Sequence, residues 1–393
     1  MEIAKDKRVQ TARKHVRATD QETLADMLTI VAIAAPPFGE GPRAAWVADK
    51  MRALGLHVSI DEVGNVIAES DVDAADPPVI VSAHLDTIFP AETEINVRRN
   101  GTRIRAPGIA DNARGLASMI AVARALQHAP MRTHAPIVYV ATVGEEGVGD
   151  LRGVKHLFRP GSRFRDASAF ISLDGTGQRR IVYRAIGSRR LRVHITGSGG
   201  HSWADWGTAN PVHALGSAIA AISQHEVPRQ PRTAVTVARV GGGTSVNAIP
   251  AEAWLEIDIR SEAATLLVEM ETMVHSALEQ AVAGVNATRK RGTHALELDV
   301  RVIGDRPSGE ASIHSPVVRA ARAATRHLGS APELVASSTD ANIPIALGIP
   351  AIAIGTGGES GGTHTLEEWY ANTNGAEGIE RALLIALATA GLE

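Results

Sequence analysis

The sequence predicts an α/β protein interrupted by an inserted ferredoxin-like (βαββαβ) domain, and three observations lead there. Four short apolar runs, over residues 79–83, 137–143, 169–173 and 349–354, each end in or lead to polar, metal-competent residues. Between about residues 187 and 303 the pattern changes to strand, helix, two strands, helix, strand, which is the split order of ferredoxin-like domains. The α/β pattern then resumes with a helix over 316–328. At 393 residues, 44% of them hydrophobic, the chain is long enough to bury two cores.

Residues 22–34 and 42–54 place apolar side chains at helical spacing (Leu24, Met27, Leu28 and Val31; Ala45, Val47, Met51 and Leu54), and Gly55 supplies a C-cap for the second. Alternation over 57–68 reads as paired strands. The unbroken apolar runs suit strands buried on both faces of an α/β sheet, with a helix over 112–127 between the first two. Ligand crevices of open α/β sheets lie outside the carboxyl ends of the strands, so four such strands would build one site. In the insert, strands are expected over 191–196, 234–240, 251–259 and 296–303, and helices over 211–224 and 265–283. The second helix shows one apolar stripe of Leu267, Met270, Val274, Ala277 or Leu278, and Ala281. The economical division is 1–186 with 304–393 as one domain and 187–303 as the other.

Composition removes whole classes of function. Lys plus Arg is 40 and Asp plus Glu 43, a formal charge of -3, which offers no field for nucleic-acid phosphates or anionic lipid. Neither nucleic acid nor membrane is an expected partner. The chain has no Cys, which excludes disulfides, thiolate zinc sites and Cys nucleophiles, so any metal must be held by His and carboxylates. Aromatics are only 3%, against an aromatic-lined sugar or base-stacking groove. No uncharged apolar run approaches the ~20 residues of a membrane span, and the basic N-terminus (Lys5, Lys7, Arg8, Arg13, Lys14) lacks a signal-peptide stretch. A soluble, cytoplasmic protein is the expectation.

The polar strand ends carry the chemistry. His84 and Asp86, two apart, point to the same side, and the carboxylate could fix which imidazole nitrogen is free to ligate. Taken alone they also fit a surface histidine beside a loop-starting aspartate. Asp111, in Gly108-Ile-Ala-Asp-Asn-Ala-Arg-Gly115 just before a helix, equally suits an N-cap. Glu145-Glu146 follow a buried strand directly and must reach solvent or share a positive partner. Asp174, with Gly175 and Gly177 behind it, fits a turn, and His364 in Gly361-Gly-Thr-His-Thr365 fits a loop. Together, two His plus Asp111, Glu146 and Asp174 make two three-ligand shells if one carboxylate bridges, as a pair of ions ~3.5–4 Å apart requires. Glu145 is left over, free to take a proton from an activated water and return it to a leaving amine.

This series, His84-x-Asp86, Gly108-x-x-Asp111, Glu145-Glu146, Asp174 and Gly-x-x-His364, resembles the co-catalytic zinc peptidases and amidohydrolases that include glutamate carboxypeptidase, peptidase T, aminoacylase and succinyl-diaminopimelate desuccinylase. The resemblance spans nearly the whole chain. It implies a mixed-sheet catalytic domain with an inserted lid and dimerisation domain. It also implies that His84 and Asp174 hold one metal, Glu146 and His364 the other, that Asp111 bridges, that Glu145 is the general acid/base and that Asp86 orients His84. Gly197-Ser-Gly-Gly-His201-Ser is similar to the family's lid motif, whose His reaches across a dimer to the substrate carbonyl oxygen; read bare, it is a glycine turn with an exposed His. Asn247, Arg260 and Arg306 resemble positions that contact substrate carbonyl or carboxylate, which Arg can grip bidentately. For each Arg a surface ion pair or hinge contact is the alternative. Asn112 stands where the family often has a second acidic residue, and Ser338-Thr-Asp340-Ala-Asn342 with Gly348-Ile-Pro350 looks closest to the peptidase T branch.

The resemblance implies two divalent metal ions, zinc first, with cobalt or manganese compatible with the same donors. It implies a short peptide or N-acyl amino acid as substrate, cleaved by an aminopeptidase, carboxypeptidase or deacylase, and a homodimer. A non-catalytic binding protein on the same fold would need neither Glu145 nor all five ligands, and their joint presence argues against it. The motifs G-x-x-x-x-G-K-[ST], strand-linked G-x-G-x-x-G and H-E-x-x-H are absent from the sequence.

Overall fold

Strands Ile137–Thr142, Val79–His84, Ala169–Leu173 and Ala351–Ile354 lie side by side and parallel in that order, as their unbroken apolar runs require of strands covered on both faces. Their carboxyl ends therefore open on one edge. The computed structural model describes residues 1–70 and 76–393 and divides into two compact units, Met1–Ala185 with Glu310–Glu393, and Ile186–Gly309.

In the first unit the sheet continues beyond Ile137–Thr142 through Val66–Glu69 and His57–Ile60, both antiparallel, the pair that alternation predicted. Beyond Ala351–Ile354 it continues through Arg180–Ala185, which also pairs in parallel with Glu333–Ser337. The helix Arg114–His128 packs on the sheet and is buried over most of its length, so its sequence is apolar nearly all round. Helix Gly375–Ala390 packs against it in the same way. The predicted helices over 22–34 and 42–54 are Asp20–Ala32 and Gly41–Ala53. A further helix, Lys7–Ala18, is capped by the Asp6 carboxylate, which accepts the N–H groups of Arg8 and Val9. A small antiparallel sheet joins Arg98–Asn100, Arg103–Arg105, Trp369–Ala371 and Glu359–Gly361, and it brings the segments before Asp111 and after His364 together.

The second unit has strand order Thr233–Gly242, Glu252–Ser261, Gly187–Thr196, Glu297–Arg306, with each neighbour antiparallel. With helices Pro211–Gln224 and Ala264–Thr288, this is the ferredoxin-like arrangement. Ala253, Leu255, Ile257 and Ile259 alternate into its core with Leu191, Val193 and Ile195, under Leu267, Met270, Val274 and Leu278. The last strand runs to Arg306, beyond the expected end at 303, because a bulge between Val302 and Gly304 restores its register with Arg190 to Ser188. Among the described residues no helix is long and apolar enough to cross a membrane.

One buried ionic cluster ties the N-terminal helices to the core. Asp26 accepts from Arg124 and lies 2.7 Å from the Lys50 Nζ, while the Arg124 Nε reaches Glu22 at 3.1 Å. Asp26→Ala leaves buried Arg124 with the half-exposed Glu22 and the Thr23 hydroxyl, and is expected to cost about 3–5 kcal/mol. Glu22→Ala is expected to cost under about 1 kcal/mol. Urea unfolding midpoints of the two variants check this difference.

Candidate metal centre

The parallel register delivers the first donors. His84 pairs with Thr142 across two strands, and the Leu85 N–H donates to the Thr142 carbonyl (2.7 Å), so the chains leave the sheet side by side. His84 is 1% exposed, against the surface reading. Its Nδ1 lies 3.0 Å from the main-chain carbonyl of Asp86, whereas the Asp86 carboxylate is 3.7 Å away, beyond hydrogen-bond distance. The carbonyl therefore orients the ring. The carboxylate of Asp86 does something else: its two oxygens accept the backbone N–H groups of Glu145 (2.9 Å) and Glu146 (2.8 Å). That grip turns both glutamates inward, and both side chains are buried rather than solvated.

Asp111 lies in an irregular turn, Ile109–Ala113, and does not cap the following helix, which starts without a side-chain cap. Its carboxylate instead stands between two imidazoles. Oδ1 is 3.0 Å from His84 Nε2, and Oδ2 is 3.1 Å from His364 Nε2. His364 Nε2 is also 3.0 Å from Glu146 Oε1. The turn is locked to the next strand by Asn112, whose amide donates to the Leu173 carbonyl (2.9 Å) and accepts the Gly115 N–H (3.1 Å). An ionised carboxylate at 112 would lack that donor. Residue 115 has to be glycine, since a Cβ there would meet the Asn112 oxygen at 2.0 Å and the Leu173 carbonyl at 2.4 Å. His364 adopts φ +66°, a region sparsely used by side-chain-bearing residues, in a turn closed by Thr365, whose N–H and hydroxyl donate to the Gly362 carbonyl.

Three groups of donor atoms result, each within 4.8 Å of one another: His84 with Asp111 and Asp174, Asp111 with Glu146 and His364, and His84 with Glu145 and Glu146. Asp111 belongs to the first two, as a bridging ligand must. The donors are imidazole nitrogens and carboxylate oxygens, which fit zinc, cobalt or manganese. The electrostatics fit cations too. Burial resists a charge on His84, yet the Asp111 and Asp86 carboxylates push it well above the ordinary imidazole range. His364, beside Asp111 and Glu146, is pushed up to about 10. Burial would raise Asp111, but His364 and His84 hold it far below the usual carboxylate range. Burial and the neighbouring Asp111 charge lift Asp174 to about 7. The site concentrates more negative charge than two imidazolium ions can balance comfortably, which is the condition divalent cations relieve.

Three residues to which motif reading gave no role surround these donors. The Glu368 carboxylate accepts the N–H groups of Gly108 (3.1 Å), Ala110 (2.8 Å) and Asp111 (3.0 Å). Arg43, 1% exposed, donates to the Leu85 and Ile33 carbonyls, and burial draws it down to about 10 against the pull of Asp86. Asp340 accepts from the Thr142 hydroxyl at 2.5 Å, and its charge helps to raise Asp174. Only Asp340 had a sequence signal, the Ser338 to Asn342 stretch. Glu368 and Arg43 stand in none of the motifs read from the sequence.

The other four candidates lie in the second unit. His201 is exposed, and its Nδ1 accepts the N–H groups of Trp203 (3.2 Å) and Ala204 (3.4 Å), which leaves the proton on Nε2. Strand pair Gly200–His201 with Ala248–Ile249 brings it beside Asn247, whose carbonyl accepts the Ser202 N–H (3.0 Å). Arg260 and Arg306 both stand opposite Ser188, on the two strands that flank it. Arg260 is exposed and pairs with Asp258 at 2.6 Å, the ion pair its alternative reading anticipated, while Arg306 is buried.

Comparison with known proteins accords with this geometry. No curated protein matches the chain in sequence. A tripeptidase from Staphylococcus aureus superposes with TM-score 0.78 at 22% identity, covering 94% of this chain and 98% of that one. The YXEP protein of Bacillus subtilis, described as a dinuclear metal binding peptidase, superposes with TM-score 0.68 at 16% identity, covering 95% and 98%. An amidase of the hydantoinase/carbamoylase family from Burkholderia vietnamiensis does so with TM-score 0.68 at 18% identity, covering 94% and 97%. These likenesses establish the fold. The model of peptidase family M20/M25/M40 matches residues 80–388, which hold every strand of the parallel core and all five donor candidates, and the chain belongs to that family of peptide- and amide-bond hydrolases.

Proposed function

We propose that this protein cleaves a peptide bond in a short peptide, with two divalent cations held by His84, Asp174, Glu146 and His364 and shared through Asp111, and with Glu145 as general acid/base. The observation that carries this reading is the Asp111 carboxylate, one oxygen on each histidine, with Glu145 buried beside the same donors. The cations, zinc in the first instance, would polarise the scissile carbonyl and bring the pKa of a water toward ~7.

Glu145 takes the proton of that water as the new carbon–oxygen bond forms, and returns it to the amine nitrogen as the carbon–nitrogen bond breaks. Asp86 holds the Glu145 and Glu146 backbone, so that neighbouring side chains diverge, one to the water and one to a cation. His201, with its proton on Nε2, donates to the carbonyl oxygen as negative charge gathers there, and the family resemblance assigns this donation to a second copy of the chain. Asn247, Arg260 and Arg306 would contact the substrate's remaining carbonyl and carboxylate groups. Deacylation of an N-acyl amino acid uses the same groups and is the second reading, favoured by the fold shared with the Burkholderia amidase.

Chelation is expected to abolish hydrolysis, and zinc, cobalt or manganese to restore it; a panel of di- and tripeptides and N-acyl amino acids under these conditions ranks peptidase against deacylase. Activity that survives exhaustive chelation contradicts the metal role. Glu145→Gln is expected to keep its metals while turnover falls about 10²–10⁴-fold, read by turnover and metal analysis of one preparation. His201→Ala is expected to lower turnover at unchanged metal content, and dimers mixed from His201→Ala and Glu145→Gln chains to regain activity if the histidine serves the partner's site.

A further inference from the structure

We propose that Glu368 is a positioning residue for the metal centre: its buried carboxylate holds the turn that carries Asp111 and ties it to the loop that carries His364. The assignment rests on the two-cation reading above. Glu368 is 0% exposed, yet among the described residues it meets no cationic side chain at hydrogen-bond distance; its carboxyl group accepts the three main-chain N–H groups of Gly108, Ala110 and Asp111. Oε1 takes Ala110 and Asp111, Oε2 takes Gly108. Its own backbone is fixed as well, since its carbonyl accepts the Ala106 N–H (3.0 Å) and its N–H donates to the Thr365 carbonyl (3.1 Å).

The location gives these contacts their purpose. Trp369 pairs with Arg105 in the small sheet, so Glu368 sits where the two strands part into the two ligand-bearing segments. His364 is four residues before it, and the Asp111 N–H donates to its carboxyl group directly. Convergent buried N–H groups in an irregular turn need acceptor oxygens, and the Glu368 carboxyl group supplies them although burial, only partly offset by these N–H bonds, lifts it to about 7. Without it, buried donors at Gly108, Ala110 and Asp111 would be orphaned, and the turn would relax toward other partners. Because Asp111 belongs to both donor groups, a relaxed turn would disturb both cations and not one. Outer contacts of this kind change metal affinity 10–100-fold when removed.

The test titrates cobalt into metal-free wild type, Glu368→Ala, Glu368→Gln and Glu367→Gln, following heat and visible absorption, with circular dichroism as the check on folding. Wild type is expected to take two tight equivalents. Glu368→Ala is expected to bind both about 10–100-fold more weakly with an altered cobalt spectrum. Glu368→Gln keeps one acceptor oxygen for Ala110 and Asp111 and is expected to fall between them. Glu367→Gln, which alters only the exposed neighbour paired with Arg105, is expected to match wild type. Should Glu368→Ala fail to fold, the comparison of Glu368→Gln with wild type decides. A folded Glu368 variant with wild-type affinities and spectrum overturns the positioning role while leaving the two-cation reading intact. Wild type that takes up no cobalt overturns both.

Discussion

A single carboxylate placed between two imidazoles is the constraint on which the rest of this site depends. Asp111 reaches His84 with one oxygen and His364 with the other, although the three residues come from a strand end, an irregular turn and a distant loop. Two histidines brought to opposite ends of one buried carboxylate have no structural need to be there. A buried carboxyl group can find its partners more simply among backbone donors, as those of Asp86 and Glu368 do. In the function proposed above, Asp111 is a shared ligand, and each imidazole would complete the coordination of a separate cation.

Positioning such a ligand demands that loops be as stiff as strands. The protein meets the demand with buried carboxylates that capture successive backbone N–H groups: Asp86 takes those of Glu145 and Glu146, and Glu368 takes those of Gly108, Ala110 and Asp111. Amide and guanidinium groups do the complementary work on carbonyls, Asn112 at Leu173 and Arg43 at Leu85 and Ile33. The contacts of Asp86, of Asn112 and of Arg43 with Leu85 join the end of a parallel strand to a neighbouring segment, and Glu368 joins the Asp111 turn to the loop that carries His364. The edge of the sheet thereby becomes a cross-braced frame that holds the donor side chains together.

Much of this was legible in the sequence, for a physical reason. Strands buried on both faces have to be apolar throughout, so the four parallel strands stood out as runs, and the polar residues ending them were conspicuous by contrast. The inserted domain was legible because its strands alternate and its helix stripe runs from Leu267 to Ala281. Arg180–Ala185 and Glu333–Ser337 were not, since they are only partly buried and carry no clear period. Helix Gly375–Ala390, buried almost all round, has no polar face to mark it. Among the site residues, those whose meaning lies in a spacing were readable, as with His84 and Asp86. Glu368 was not, because its partners are some 260 positions away in the chain, and the orienting of His84 falls to a main-chain carbonyl that every residue possesses.

Anomalous X-ray scattering from crystals of the zinc-loaded protein, recorded at the zinc edge, addresses the shared carboxylate most directly. The account predicts two anomalous peaks roughly 3.5–4 Å apart, one against His84 and Asp174, the other against Glu146 and His364, with an oxygen of Asp111 on each. A single peak, or two peaks neither of which touches Asp111, would contradict it.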